Sequence, residues 1–204
     1  MPRRQDHTPQ ELTELAIASV QRHLQQTAAS QLSLRKIARD IGYSPGTLIN
    51  LFGSYSLLLL AVNARTLDDV HQQLQQAIRQ SEQQHGSPVQ QLEAAANRYC
   101  QYASQHPHLW RLLFEHRLAD DEPLPTWQAQ RIDTLFSLIE SRLSALHPAA
   151  SADQCRTAAR VIWSGVHGIC SLVLDNKIFL NAGRDNDHLI HSLLSHYLTD
   201  WCRT

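Results

Sequence analysis

Between Ser33 and Phe52 the chain carries two short apolar-periodic runs held a few residues apart. This spacing restricts the fold more than any other feature. Ser33 is placed to cap a helix, and Leu34, Ile37, Ala38 and Ile41 follow at i, i+3, i+4 and i+7. Gly42 closes the run, since glycine takes positive φ without steric cost. Ser44-Pro45 restarts the chain as cap and first helical residue, Leu48, Leu51 and Phe52 mark a buried face, and Gly53 ends it. Two short helices so spaced form a helix-turn-helix. That packing needs a small residue where the helices cross (Ala38), a turn residue tolerant of positive φ (Gly42) and a branched apolar residue facing back (Leu48). Ile37, Ile41 and Leu51 fill the remaining inward positions.

The rest of the chain reads as helix. Thr8-Pro9-Gln10-Glu11 has the form of a capping box, and Leu12, Ala16, Val20 and Leu24 continue it to about residue 28. From Ser56 to Gln84 there is neither Gly nor Pro, which predicts one long helix. Further helices are expected over 89–105, 108–118, 125–146, 152–175 and 187–202. With only 7 Gly and 8 Pro in 204 residues, and no strand-like alternation, the expected class is all-α with about nine helices. An N-terminal three-helix domain over 8–55 is expected to join, through the helix at 56–84, a C-terminal domain over 56–204. No run of about 18 uncharged apolar residues predicts a membrane span. The polar N-terminus does not read as a signal peptide. Cys100, Cys155, Cys170 and Cys202 form no CxxC, so a reduced cytoplasmic protein is expected.

The formal net charge of −1 hides a division. Residues 1–55 hold six basic and four acidic side chains, leaving 12 basic and 15 acidic for the remainder. The basic front suits a nucleic-acid module. Arg35 and Lys36 open the supporting helix, where such helices meet the DNA backbone, and Arg3 and Arg4 are placed to reach along the duplex as an arm. Free amides at Ser44 favour a phosphate oxygen. Pro45, Gly46, Thr47, Ile49 and Asn50 are the outward positions of the second helix. Asn50 suits an adenine edge, and Thr47 a thymine methyl or a phosphate.

The C-terminal part offers different chemistry. The run 152–175 has almost no polar side and is expected to be buried all round. The last helix aligns Ile190, Leu194, Tyr197 and Trp201. With Trp163 these residues predict a homodimer interface, an ordinary monomer core being the other reading. Trp110, Phe114 and Trp127 read as core that also lines an apolar effector pocket. His167, between Gly165 and Gly168, reads either as a hydrogen-bonded structural histidine or as a ligand contact. Twelve histidines invite a metal site, but no spacing supports one, and no metal or cofactor is expected. No nucleophile has an activating context and no phosphate-binding glycine loop is present, so an enzyme is not expected.

Leu32-Ser33-Leu34-Arg35-Lys36-Ile37-Ala38, Gly42-Tyr43-Ser44-Pro45-Gly46-Thr47-Leu48, Phe52 and Leu57-Leu58 together resemble the N-terminal domain of TetR-family transcriptional regulators. Trp163, Gly165-Val166-His167-Gly168 and Pro107 to Glu115 resemble the Trp/His-Gly subtype of TetR C-terminal domain. The resemblance implies a homodimer in which the first three helices bind a double-stranded operator. It also implies a fourth helix leading to a ligand-binding domain, two last helices that pair with their mates, and a small-molecule effector that releases DNA. Ser33 and Tyr55 join the expected DNA contacts on this basis. The chain departs from the family where a phosphate-binding Tyr is usual (Ile49), where His or Tyr is frequent (Leu51) and where a Lys is usual (Tyr55). The resemblance leaves one alternative: a helical interaction or ligand-carrier protein whose helix-turn-helix no longer binds DNA.

Overall fold

The structure is a computed structural model that describes residues 7–118, 123–178 and 186–203. Among these residues there are nine α-helices and no strand: α1 Pro9–Leu24, α2 Leu34–Asp40, α3 Pro45–Phe52, α4 Tyr55–Gln83, α5 Pro88–Gln105, α6 Pro107–Glu115, α7 Thr126–Leu146, α8 Ala152–Leu174 and α9 Asn186–Trp201. The capping chemistry sets most boundaries. Thr8, Ser87 and Ser151 each accept a hydrogen bond from the backbone N–H three residues on, while Glu11, Gln90 and Gln154 reach back to close capping boxes. Helix α1 stops at Leu24, short of the expected residue 28. A 3-10 turn at Ala29–Gln31 then leads to Ser33.

The chain divides into two compact units. One comprises Met1–Thr66 with His108–Leu124, and the other Leu67–Pro107 with Pro125–Thr204. Helix α4 therefore gives its first part to the former unit, the head, and the remainder to the latter, the body. Ile37, Ala38 and Leu48 are fully buried in the head, with Ala16, Val20, Leu58 and Val62 around them. Leu109 and Leu112 of α6 join the same cluster. Asn63 donates to the Leu112 carbonyl (3.3 Å), and Ser56 bonds His116 (2.9 Å). Arg65 grips Glu14 with one guanidinium nitrogen (2.6 and 2.8 Å) and so ties α4 to α1. Leu51 is only partly buried and lies outside this cluster, because Leu48 alone of α3 faces fully inward.

In the body, α5, α7, α8 and α9 pack together. Within one chain α8 is not covered on every side. Cys155, Ala158, Ala159, Ile162, Val166 and Cys170 are buried, whereas Val161 and Leu172 are 46% and 43% exposed. This helix is long and apolar enough to cross a membrane by length and composition. Here its buried stripe packs on the body's other helices. At Gly165 an added Cβ would sit 2.7 Å from a Leu193 methyl, so the missing side chain lets α9 approach closely.

Candidate nucleic-acid interface and apolar cavity

The turn between α2 and α3 has a fixed geometry. Gly42 adopts φ +78°, its N–H donates to the Arg39 carbonyl (3.1 Å), and the Tyr43 N–H reaches the Ala38 carbonyl (2.9 Å). These two bonds form a Schellman motif. A Cβ on Gly42 would meet nothing within 4 Å, so glycine is required here by backbone conformation and not by space. Ser33 Oγ accepts from the Lys36 N–H (3.3 Å) and Ser44 Oγ from the Thr47 N–H (3.1 Å). Thr47 Oγ1 also lies 2.9 Å from Ser44 Oγ. Both serines are therefore caps and both stay exposed. Around them Arg35, Gly46, Ile49 and Asn50 are exposed, and Lys36, Pro45 and Thr47 partly so. Tyr43 Oη lies 2.8 Å from His7 Nδ1, which fastens the start of α1 to this turn. Arg3 and Arg4 lie outside the described residues.

Tyr55 requires a correction. Its hydroxyl is buried without a hydrogen-bond partner, its ring packs on the head's core, and burial raises its pKa. A phosphate does not reach that oxygen, so the expected Tyr55–DNA contact is withdrawn.

The body contains an apolar cavity of about 40 Å³, lined by Leu74, Leu92, Ala95, Ala96, Tyr99, Leu135, Ile139, Ile162, Trp163 and Val166. None of the four residues expected to bind ligand lines it. Trp110 is buried in the head, where its ring meets Phe114 (5.1 Å), and Phe114 is 39% exposed. Trp127 is also 39% exposed, with the Arg131 guanidinium 5.8 Å from its ring. His167 stands behind the wall: Tyr99 Oη lies 3.0 Å from its Nδ1, and its ring stacks on Trp163 at 5.2 Å. Burial lowers the His167 pKa, so near neutral pH the ring is uncharged. Tyr99, Leu92, Leu135, Ile139 and Ile162 were missed as cavity residues because their apolar side chains sit in helical periods shared with ordinary core.

The interface residues divide as well. Ile190 and Leu194 are fully buried in the body's own core. Trp163 lines the cavity and meets Phe136 edge-on at 5.7 Å. Ile190 and Leu194 are consumed within the chain, whereas Trp163 stays partly exposed. Tyr197 and Trp201 stay partly exposed, Trp201 with His147 against its ring. Among the described residues no three His, Cys, Asp or Glu side chains gather to hold a metal.

The tetracyclin repressor-like, C-terminal domain family matches residues 92–197, just over half of the chain. The chain belongs to the TetR family. It is thus a transcriptional regulator of that family and not an enzyme. Solved structures repeat the TetR fold over nearly the whole length. A protein of unknown function from Rhodococcus sp. RHA1 superposes with TM-score 0.75 at 17% identity, over 98% of both chains. A TetR transcriptional regulator from the same organism gives 0.67 at 13% identity, over 95% of this chain and 99% of that one. BioQ, solved with its natural double-stranded DNA operator, gives 0.63 at 18% identity, over 92% and 98%. At these identities the likeness is one of fold. No curated protein matches the sequence. The TetR family match covers most of the body together with the α6 segment of the head and leaves out the helix-turn-helix, for which the evidence is its geometry.

Proposed function

We propose that the protein is a ligand-responsive repressor that binds a palindromic operator as a homodimer and is released by a small apolar or amphipathic effector. In this reading residues 8–55 contact DNA, residues 56–204 sense and dimerise, and the protein works in the cytoplasm. The observation that carries the reading is the closed helix-turn-helix core with the outer positions of α3 left exposed. Arg35 and Lys36 supply phosphate contacts, with Arg3 and Arg4 as an arm. Ser33, Ser44, Pro45, Gly46 and Thr47 bring backbone amides and small side chains to the duplex, and Asn50 contacts a base. Half-sites lie roughly 34–36 Å apart, about one helical turn of DNA.

The cavity supports an apolar effector. Its volume of about 40 Å³ is far below that of common ligand sites, so a ligand must spread the walls on entry. A ligand that binds only the spread body shifts the population toward it, with a coupling of about 1–3 kcal/mol. Helix α4, continuous from head to body, is the lever. Supporting the dimer, Val161 and Leu172 leave an apolar stripe on α8, with Gly168 between them. A second copy of this helix is the fitting cover.

Two observations favour the non-binding alternative: α3 carries no charged residue, and Tyr55 turns inward. Fluorescence anisotropy with DNA from the protein's own upstream region separates the two. Binding is expected to weaken with salt, and Arg35→Ala is expected to lower the logarithmic salt slope by about one unit per half-site. An unchanged slope and affinity in Arg35→Ala remove Arg35 from the phosphate contacts, and absence of binding by the parent overturns the DNA reading. Val161→Arg with Leu172→Arg should yield a folded monomer by sedimentation; an intact dimer removes α8 from the interface.

A further inference from the structure

Helix α3 holds no Arg, Lys, Asp or Glu. It therefore lacks the side chains that pair with guanine and cytosine edges through charge. Asn50 remains as a hydrogen-bonding reader. Beside it stands Ile49, 38% exposed and outside the head's apolar cluster, which takes Leu48 from this helix. Nothing inside the head explains a bare isoleucine here. Gly46 lies one turn before this pair on the same face. A Cβ on Gly46 would meet only Ser44 Oγ, at 3.7 Å, so neither packing nor positive φ demands glycine. The missing side chain leaves room for a partner to approach Ile49 closely.

In the major groove one base presents an aliphatic group, the C5-methyl of thymine. We propose that Ile49 reads this methyl, so that the pair beneath the middle of α3 is T·A and is chosen for its methyl group. This rests on the DNA-binding reading above and names the base that reading leaves open. Asn50 and Ile49 then divide an A·T-rich half-site between them, one by hydrogen bonds to adenine and the other by contact with thymine. An aliphatic side chain buries apolar area against a methyl and gains nothing from the bare edge of cytosine.

The test uses the full-length protein and a duplex selected from a randomised pool. Each thymine is replaced singly by deoxyuridine, which lacks only the methyl, and affinity is measured at fixed salt. One thymine per half-site is expected to matter, by about fourfold, and by about fifteenfold when both half-sites are changed. Replacing that T·A by C·G should weaken binding further, and 5-methylcytosine at the position should restore part of the loss. Ile49→Ala, whose side chain leaves the core untouched, should abolish the deoxyuridine effect at that thymine alone, and Ile49→Val should keep part of it. If no thymine responds, or if Ile49→Ala responds as the parent does, the proposal is overturned. If no duplex is selected at all, the DNA-binding reading falls first, and the two failures remain distinct.

Discussion

The head and the body use apolar surface in opposite ways. In the head three short helices and the start of α4 close around Ile37, Ala38 and Leu48, none of which retains solvent exposure. Its turn is pinned by two hydrogen bonds and one glycine at positive φ. In the body longer helices leave a void inside, at the Tyr99 and Ile162 walls, and a bare stripe outside, at Val161 and Leu172. A template that must match a rigid duplex gains from a packing with one solution. A sensor needs a packing that admits a second arrangement, and unfilled volume is the usual physical means.

The strongest challenge to this contrast is Leu48→Ala. Removing a fully buried leucine from a closed core should cost about 2–5 kcal/mol, read by urea denaturation with hydrogen exchange over residues 9–52. A cost near 1 kcal/mol would mean that the head collapses readily and is no stiffer than the body. A smaller effect of opposite sign is expected from Val166→Ile, which adds one methylene at the cavity wall. It should stabilise by about 0.5–1 kcal/mol and raise the melting temperature. Destabilisation would show that the body is as tightly packed as the head.

The smallest effect concerns pH. Burial depresses the His167 pKa below its ordinary 6.5. Above that value both folded and unfolded chains hold a neutral ring, and the residue makes stability no more pH-dependent. As pH falls below about 6.5 the unfolded chain takes up a proton that the folded one resists, so stability is lost down to the folded pKa. Thermal melts between pH 7.5 and 5 should fall more steeply for the parent than for His167→Asn. Equal slopes would place the ring in water.

The head was more legible than the body for a local reason. Thr8, Ser33, Ser44, Gly42 and Gly53 act within four residues of themselves, through caps and φ, and the structure finds each in the expected role. Departures arise where a side chain's partner lies far away in sequence. Tyr55 turns its hydroxyl inward because its ring joins a core to which α6 also contributes. Of the two readings of His167, its bond to Tyr99, 68 residues distant, fits the hydrogen-bonded structural one, and the sequence could not name that partner.

The amino-acid pattern by itself determined the nine helices of the described residues, most of their caps and the helix-turn-helix, because hydrogen bonds and apolar period act along the chain. Only the tertiary structure decided which apolar side chains became wall, core or uncovered stripe. Ile190 and Val161 are equally apolar in sequence, yet one is sealed in the body and the other faces solvent. That choice belongs to the neighbouring helix, and hydrophobic burial carries no direction of its own.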